Sequence, residues 1–184
     1  SLPFRIWMMT KHHGKLGCDG TKQVLKALIL SEPNKIEIVN MVKPVPKAGQ
    51  ALIRIKAASL NHRDLWCLQG RYPNIVYGTV LGSDGAGIVE SVGQGVSKEF
   101  IGREVIINPN INWGNDPKVQ SAQYKILGMP ENGTFAEYMA VDIDRLYDKP
   151  KHLNYHDAAA LPLSGLTAYR AVFTQGKIDS EKTV

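Results

Sequence analysis

The amino-acid sequence predicts a mainly β fold with a few short helices. Short runs in which apolar and polar residues alternate, such as residues 35–42 and 51–57, are typical of strands with one buried face. The glycine-rich stretch at residues 81–96 indicates a kinked strand in a tightly curved sheet, because glycine permits bends and close backbone contacts. From Asn154 onward the apolar pattern changes to a helical period, so helices are expected to follow the sheet.

The first strands are predicted to form a hairpin. Residues 24–30 are mostly apolar, residues 31–34 contain turn formers, and residues 35–42 alternate. A loop with two prolines at residues 43–49 then separates the hairpin from the strand at 51–57, because proline cannot donate a ladder hydrogen bond.

A short helix is predicted within residues 59–70. Asn61 is a favourable N-cap residue, and Asp64 stands three positions later, where a capping-box carboxylate accepts the backbone N–H of the N-cap. Leu65 and Leu68 give the helix an apolar face, and Gly70 ends it.

The second half of the chain is predicted to add strands and finish in two helices. The strands are expected at residues 101–108, 133–141 and 145–147, and the helices at 155–161 and 164–175. Pro162 is expected to stop the first helix and Ser164 to cap the second. Residues 109–130 are predicted to form a long irregular loop, and loops of this length are usually functional or disordered.

Composition and charge exclude several classes of protein. The 184 residues are 43% hydrophobic and 21% charged, and no apolar run is long enough to span a bilayer. The net charge of +5 is scattered rather than gathered in a basic, aromatic-interleaved stripe, which argues against nucleic acid. Cys18 and Cys67 form no metal-binding pair and no disulfide framework, which favours a reducing compartment. Residues 1–23 are basic and poor in acids, so we expect an N-terminal extension of a cytoplasmic protein, with a mitochondrial transit peptide as the alternative.

The glycines of the central stretch do not form a dinucleotide-binding motif. The spacing Gly82-x-x-Gly85-x-Gly87 differs from Gly-x-Gly-x-x-Gly, and the residues that follow predict a strand instead of a helix. We therefore expect the chain alone not to bind nicotinamide nucleotides tightly.

Ordered motifs identify a family resemblance from about Lys26 to Val184. They are Lys26-Ala-Leu, Ser59-Leu-Asn-His-Arg-Asp64, Leu81-Gly-Ser-Asp-Gly-Ala-Gly-Ile-Val89, Val92-Gly-x-Gly-Val96, Gly102-x-x-Val105, Gly133-Thr-Phe-Ala-Glu-Tyr138 and Ala158-Ala-Ala-Leu-Pro-Leu-Ser-Gly-Leu-Thr-Ala-Tyr169. The chain resembles the medium-chain dehydrogenase/reductase superfamily, which contains the zinc alcohol dehydrogenases and the quinone oxidoreductases. The resemblance implies a GroES-like, partly open β-barrel as the catalytic domain at residues 24–150. Residues 151–184 would then be linking helices that lead to a Rossmann-type domain absent from this chain.

The departures from the family pattern concern zinc. Zinc-dependent members carry a cysteine at the position of Asn61 and a His-Glu pair at the positions of Ser83 and Asp84, and neither Asn61 nor Ser83 is a normal zinc ligand. The loop at 109–130 lacks the four structural cysteines of those enzymes. The resemblance is therefore to the zinc-lacking, quinone-reductase-like branch. An improvised metal site from His62, Asp64, Cys67 and Asp84 is the alternative.

For this branch the resemblance implies hydride transfer between NADP or NAD and a quinone, enone or related carbonyl compound. It places Asn61 in the nicotinamide pocket as the catalytic and cofactor-binding residue, and Thr167 beside the nicotinamide. Trp66, Ser83 and Asp84 would line the substrate cleft. Each side chain also has a structural interpretation: Asn61 as a helix cap, Trp66 as core and Thr167 as helix packing.

Four further residues near the predicted cleft carry weaker predictions. Tyr72 and Tyr77 are candidate proton donors, and nothing in the sequence ranks them. Arg63 and Asp64 are expected to form a structural ion pair.

Two other functions remain open at this point. A stand-alone GroES-like binding or scaffold module would need no cofactor. A zinc alcohol dehydrogenase with degenerate ligands would need metal. Under the oxidoreductase hypothesis, the chain is expected to be incomplete and inactive alone. The sequence is compatible with a homodimer and does not distinguish NAD from NADP as the cofactor.

Overall fold

The structure, a computed structural model, describes residues 23–179 and is mainly β, as predicted. The strands are β1 (Val24–Glu32), β2 (Lys35–Val42), β3 (Gln50–Ser59), β4 (Asp84–Val92), β5 (Glu104–Ile107), β6 (Asn110–Ile111), β7 (Lys125–Leu127), β8 (Pro130–Glu131), β9 (Tyr138–Asp142) and β10 (Leu146–Asp148). The helices are α1 (His62–Leu68), α2 (Tyr155–Ala159) and α3 (Pro162–Tyr169), and a π-helical segment, Arg170–Gln175, follows α3. Apart from Gln23, the predicted N-terminal extension lies outside the described residues.

The strands form one five-stranded antiparallel sheet and two smaller sheets. The large sheet has the order β10-β5-β4-β3-β9, β1 and β2 form the predicted hairpin, and β6, β7 and β8 form a short third sheet. Isolated bridges from Ala27 to Ala136 and from Ile29 to Val80 attach the hairpin to the rest of the molecule. No helix among residues 23–179 is long and apolar enough to cross a membrane.

The glycine-rich strand β4 lies at the centre of the large sheet and is irregular, as its sequence predicts. Its pairing with β3 shifts register between Leu52 and Ile53 and again between Ile55 and Ala57. At Gly87 a Cβ atom would lie 2.3 Å from the carbonyl oxygen of Arg54, so only glycine permits this approach. The main core, which includes Ile53 and Val89, packs on this sheet.

Several predicted boundaries are wrong in ways that local chemistry explains. The strand predicted at 101–108 begins only at Glu104, because Ile101 and Gly102 lie in the turn before it. The loop at 109–130 is not wholly irregular, since it contains β6 and β7. Ser164 does not cap the last helix: α3 begins at Pro162, and the Ser164 hydroxyl donates to the carbonyl of Ala160 at 3.1 Å.

Candidate active site

The candidate site forms where β3 ends, β4 begins and α1 starts. Ser59, the last residue of β3, pairs with Asp84, the first residue of β4. Because α1 begins directly after β3, this register brings Asn61 close to Asp84. The Thr134 hydroxyl donates to the backbone carbonyl of Asp84 at 2.7 Å and fixes the start of β4.

Asp84 is fully buried and joins α1 to α3. Its Oδ2 accepts a hydrogen bond from Asn61 Nδ2 at 2.9 Å, and its Oδ1 accepts one from the backbone N–H of Leu163 at 2.8 Å. Burial raises the pKa of this carboxyl above its usual range, and the two hydrogen bonds partly offset that effect. Asp84 is thus a structural junction whose side chain does not reach solvent.

The capping box predicted for α1 is confirmed. The Asp64 carboxylate accepts the backbone N–H of Asn61 at 2.8 Å. The Asn61 side chain faces the backbone N–H of Asp64, which donates to the Asn61 backbone carbonyl at 2.9 Å. Asp64 is also buried, and burial raises the pKa of its carboxyl, against the opposing effects of the Asn61 hydrogen bond and the Arg63 charge.

Arg63 does not form the predicted ion pair with Asp64. Its side chain is only 7% exposed, and its Nη1 donates to Ser83 Oγ and, at 2.7 Å, to the carbonyl of Leu127. Its Nη2 donates to the carbonyl of Met129 at 3.1 Å. These neutral oxygens take the place of a carboxylate partner. Because two of them belong to Leu127 and Met129, the guanidinium ties α1 to the segment around β7.

The residues at the family's zinc position do not fit a zinc ion. Ser83 is fully buried, and its hydroxyl donates to the Leu127 carbonyl at 2.9 Å while accepting from Arg63. A guanidinium beside this hydroxyl repels a divalent cation, and the carboxamide of Asn61 is a poor zinc ligand. The donor set at this position is thus occupied by contacts within the protein.

The structure does not bring together the residues of the improvised metal site, so that alternative is wrong. Among residues 23–179, no group of three or more His, Cys, Asp or Glu side chains could hold a metal ion. Cys67 is buried in the apolar cluster with Leu30, Leu81 and Met129, and burial raises the pKa of its thiol. His62 instead stacks edge-on against Trp66, with ring centroids 5.0 Å apart.

The remaining predicted site residues differ in their exposure and contacts. Trp66, on α1, is 47% exposed, so it is not core. Thr167 is exposed on α3, and its hydroxyl donates to the Leu163 carbonyl at 2.8 Å. The Arg63 guanidinium carbon lies over the Tyr72 ring, 4.7 Å from the ring centroid. Tyr77 is about half exposed.

A cluster around Trp113 was not predicted from the sequence. The Arg170 guanidinium lies 4.7 Å from the Trp113 ring centroid, and Trp113 contacts Tyr124 edge-on with ring centroids 5.0 Å apart. Arg170 and Gln175 both donate to the carbonyl of Lys118, which holds the loop against the segment after α3. The only signal in the sequence was the presence of two aromatic residues in a loop otherwise rich in Asn, Gly and Pro.

Comparison with known proteins assigns the family. The profile of the alcohol dehydrogenase GroES-like domain matches residues 47–151, which is more than half of the chain. The chain belongs to this family. It corresponds to the N-terminal, GroES-like domain of the medium-chain dehydrogenase/reductase superfamily, as the sequence motifs indicated.

The similar proteins include enzymes about twice the length of this chain. The chain is 34% identical over 152 residues to the zinc-type alcohol dehydrogenase-like protein YogA of Leptosphaeria maculans, covering 78% of this chain and 42% of that protein. It is 31% identical over 176 residues to an NAD-dependent alcohol dehydrogenase of Sulfurisphaera tokodaii, covering 88% of this chain and 50% of that one. A crystal structure of an NAD-dependent alcohol dehydrogenase superposes with a TM-score of 0.75 at 36% identity, covering 82% of this chain and 47% of the other.

Proposed function

We propose that the chain is the catalytic-domain portion of an NAD(P)H-dependent oxidoreductase. In this proposal, hydride is transferred without zinc to a quinone, an enone or a related carbonyl compound. The observation that carries the zinc-independent part is the buried guanidinium of Arg63, which contacts Ser83 where the family's zinc enzymes carry a histidine ligand. A positive charge fixed at this position disfavours Zn²⁺ and leaves polarisation of the substrate carbonyl to hydrogen-bond donors.

In this proposal, each site residue has a separate role in binding the cofactor or the substrate. When bound, the nicotinamide supplies or accepts the hydride. Asn61, a partly exposed residue, would donate a hydrogen bond from its carboxamide to the substrate carbonyl or to the nicotinamide amide. Trp66 would flank the substrate and Thr167 would approach the nicotinamide from α3. Ser83 and Asp84 would act from beneath the cleft, since both side chains are fully buried.

The exposed apolar side chains of α3 support the proposal that this helix packs against another domain. Leu166, Tyr169 and Phe173 lie on or just after α3 and are 43%, 62% and 52% exposed. Contiguous exposed apolar side chains of this kind mark interaction surfaces. In the full-length protein, this surface would pack against the dinucleotide-binding domain, which would bring Thr167 and Asn61 to the cofactor.

The test compares two asparagine caps in the full-length enzyme. Asn61→Ser keeps a capping oxygen but removes the amide donor, and Asn154→Ser makes the same change at the start of α2, where Asn154 accepts from the Asp157 N–H. We expect Asn61→Ser to lower kcat/KM for quinone or enone reduction by about tenfold or more, and Asn154→Ser to leave it unchanged.

Metal analysis tests the zinc-independent part separately. We expect purified enzyme to be active without stoichiometric zinc and to keep its activity in a strong chelator. About one tightly held zinc per chain, with activity lost on its removal, would contradict the proposal. Equal rates for Asn61→Ser and the parent enzyme would instead contradict the role given to Asn61.

A further inference from the structure

We propose that Asp84 is a positioning residue that sets the orientation of the Asn61 carboxamide and holds it in register with helix α3. The inference rests on the proposed function, because it assigns the residue that prepares Asn61 for hydride transfer. Asp84 itself is fully buried, so it acts through Asn61 and does not contact the substrate.

Hydrogen-bond chemistry fixes which way the Asn61 amide faces. An ionised carboxylate only accepts hydrogen bonds, so Asn61 Nδ2, at 2.9 Å from Asp84 Oδ2, must be the side of the amide that faces it. The amide oxygen is then the end that faces away from Asp84, toward the first turn of α1, where the Asp64 N–H donates to the Asn61 backbone carbonyl at 2.9 Å. A 180° rotation of the amide would place its oxygen against the Asp84 carboxylate, and this contact between two acceptors is unfavourable.

This orientation leaves one group of Asn61 available for recognition. The carboxamide has two N–H donors, and Asp84 takes one of them. No other described residue accepts the second N–H, and Asn61 is partly exposed. Asp84 therefore makes Asn61 a donor toward the site, which is the property that a carbonyl substrate requires.

The second oxygen of Asp84 supplies a cap that α3 lacks. Leu161 occupies the N-cap position and has no side-chain acceptor, and Pro162 has no N–H. The N–H of Leu163 is therefore the first of the helix that needs a partner, and Asp84 Oδ1 accepts it at 2.8 Å. One carboxylate thus joins Asn61 to the helix that carries Thr167.

The decisive variant is Asp84→Asn in the full-length enzyme. The new side chain can accept the Leu163 N–H with its oxygen, but its NH₂ then faces Asn61, whose amide has to rotate to offer its oxygen. We expect kcat to fall about tenfold or more while KM for the dinucleotide changes less than threefold. Asp157→Asn is the matched control, because the exposed Asp157 carboxylate accepts the Asn154 amide at 2.8 Å in a similar pair at α2, and it should leave kcat unchanged.

A double-mutant cycle separates positioning from general destabilisation. In an Asn61→Ala background, Asp84→Asn should lower kcat by less than threefold further, since there is no amide left to orient. An undiminished tenfold loss in that background would overturn the proposal, because Asp84 would then act independently of Asn61.

The wild-type protein provides a readout that needs no Asp84 variant and no activity. By NMR, the side-chain N–H proton of Asn61 that Asp84 accepts should exchange with solvent at least about tenfold more slowly than the side-chain N–H protons of the exposed Asn112. Equal exchange would overturn the Asp84–Asn61 contact. Slow exchange together with full activity of Asn61→Ser would uphold the contact and contradict the proposed function instead.

Discussion

Replacing Arg63 by methionine tests the buried guanidinium that joins α1 to the segment around β7. Methionine replaces the apolar stem of the side chain but removes the guanidinium and its hydrogen bonds to Ser83 Oγ and to the carbonyls of Leu127 and Met129. Arg71, which is exposed, provides the matched control Arg71→Met.

The expected loss of unfolding free energy depends on which carbonyl acceptors keep a hydrogen-bond donor in the variant. The Leu127 carbonyl still accepts the Ser83 hydroxyl at 2.9 Å, whereas the Met129 carbonyl loses the donor that Arg63 provides. An orphaned buried acceptor costs about 1–3 kcal/mol, and each lost charge-assisted bond adds a comparable amount, partly offset because the buried charge is also removed. We therefore expect the free energy of unfolding to fall by about 2–4 kcal/mol, against about 0.5 kcal/mol or less for Arg71→Met.

Urea denaturation of the full-length protein, with equal slopes for parent and variants, measures this difference. Hydrogen exchange should also accelerate at the Leu127 and Gly128 amides, because the segment that Arg63 holds becomes freer to open. If Arg63→Met cost no more than Arg71→Met, the guanidinium would not be a structural tie, and the argument that it stands in the way of zinc would lose its basis.

Two further predictions concern strand packing and pH. Gly87→Ala should lower the free energy of unfolding by about 2 kcal/mol or more, because the new Cβ would lie 2.3 Å from the Arg54 carbonyl oxygen. Gly165→Ala is the control: its Cβ would have no atom within 4 Å, so it should be neutral or stabilising. Thermal denaturation of both variants measures the difference. Burial raises the pKa of Asp84 above 3.8, so the folded state binds its proton more tightly than the unfolded state. The contribution of Asp84 to stability is then largest below that value and is lost as the pH rises through the raised pKa. The unfolding free energy of the parent relative to Asp84→Asn should decrease with increasing pH in denaturation series above about pH 4, and an increase would contradict the prediction.

Features that depend on neighbouring residues were predictable from the sequence. The hairpin of β1 and β2, the start of α1 at Asn61 and its capping box with Asp64 each involve residues a few positions apart. The start of α3 was predictable too, because proline is favoured at the first helical position and Pro162 occupies it. The sequence prediction chose the serine rule at Ser164 instead, and that choice moved the boundary by two residues.

Features that depend on distant contacts were not predictable. The two carbonyl acceptors of Arg63 lie 64 and 66 residues away in the chain, and the Leu163 N–H lies 79 residues from Asp84. Arginine is rarely buried in proteins, so nothing in the local pattern distinguishes Arg63 from the exposed Arg71. Strands as short as β6 and β7 are below the length at which an alternating pattern can be recognised.

The buried polar residues of the site depend on one another through shared partners. Arg63 and Ser83 both donate to the Leu127 carbonyl, and Ser83 precedes Asp84 at the start of β4. Asp84 in turn holds Asn61, which begins the helix that carries Arg63. The contacts therefore form a closed circuit from α1 to the β7 segment, to β4 and back to α1. Because each member fixes the position of the next, a carboxamide at Asn61 and a guanidinium at Arg63 are two parts of one arrangement, in which protein hydrogen bonds occupy the place where zinc enzymes of the family bind their metal.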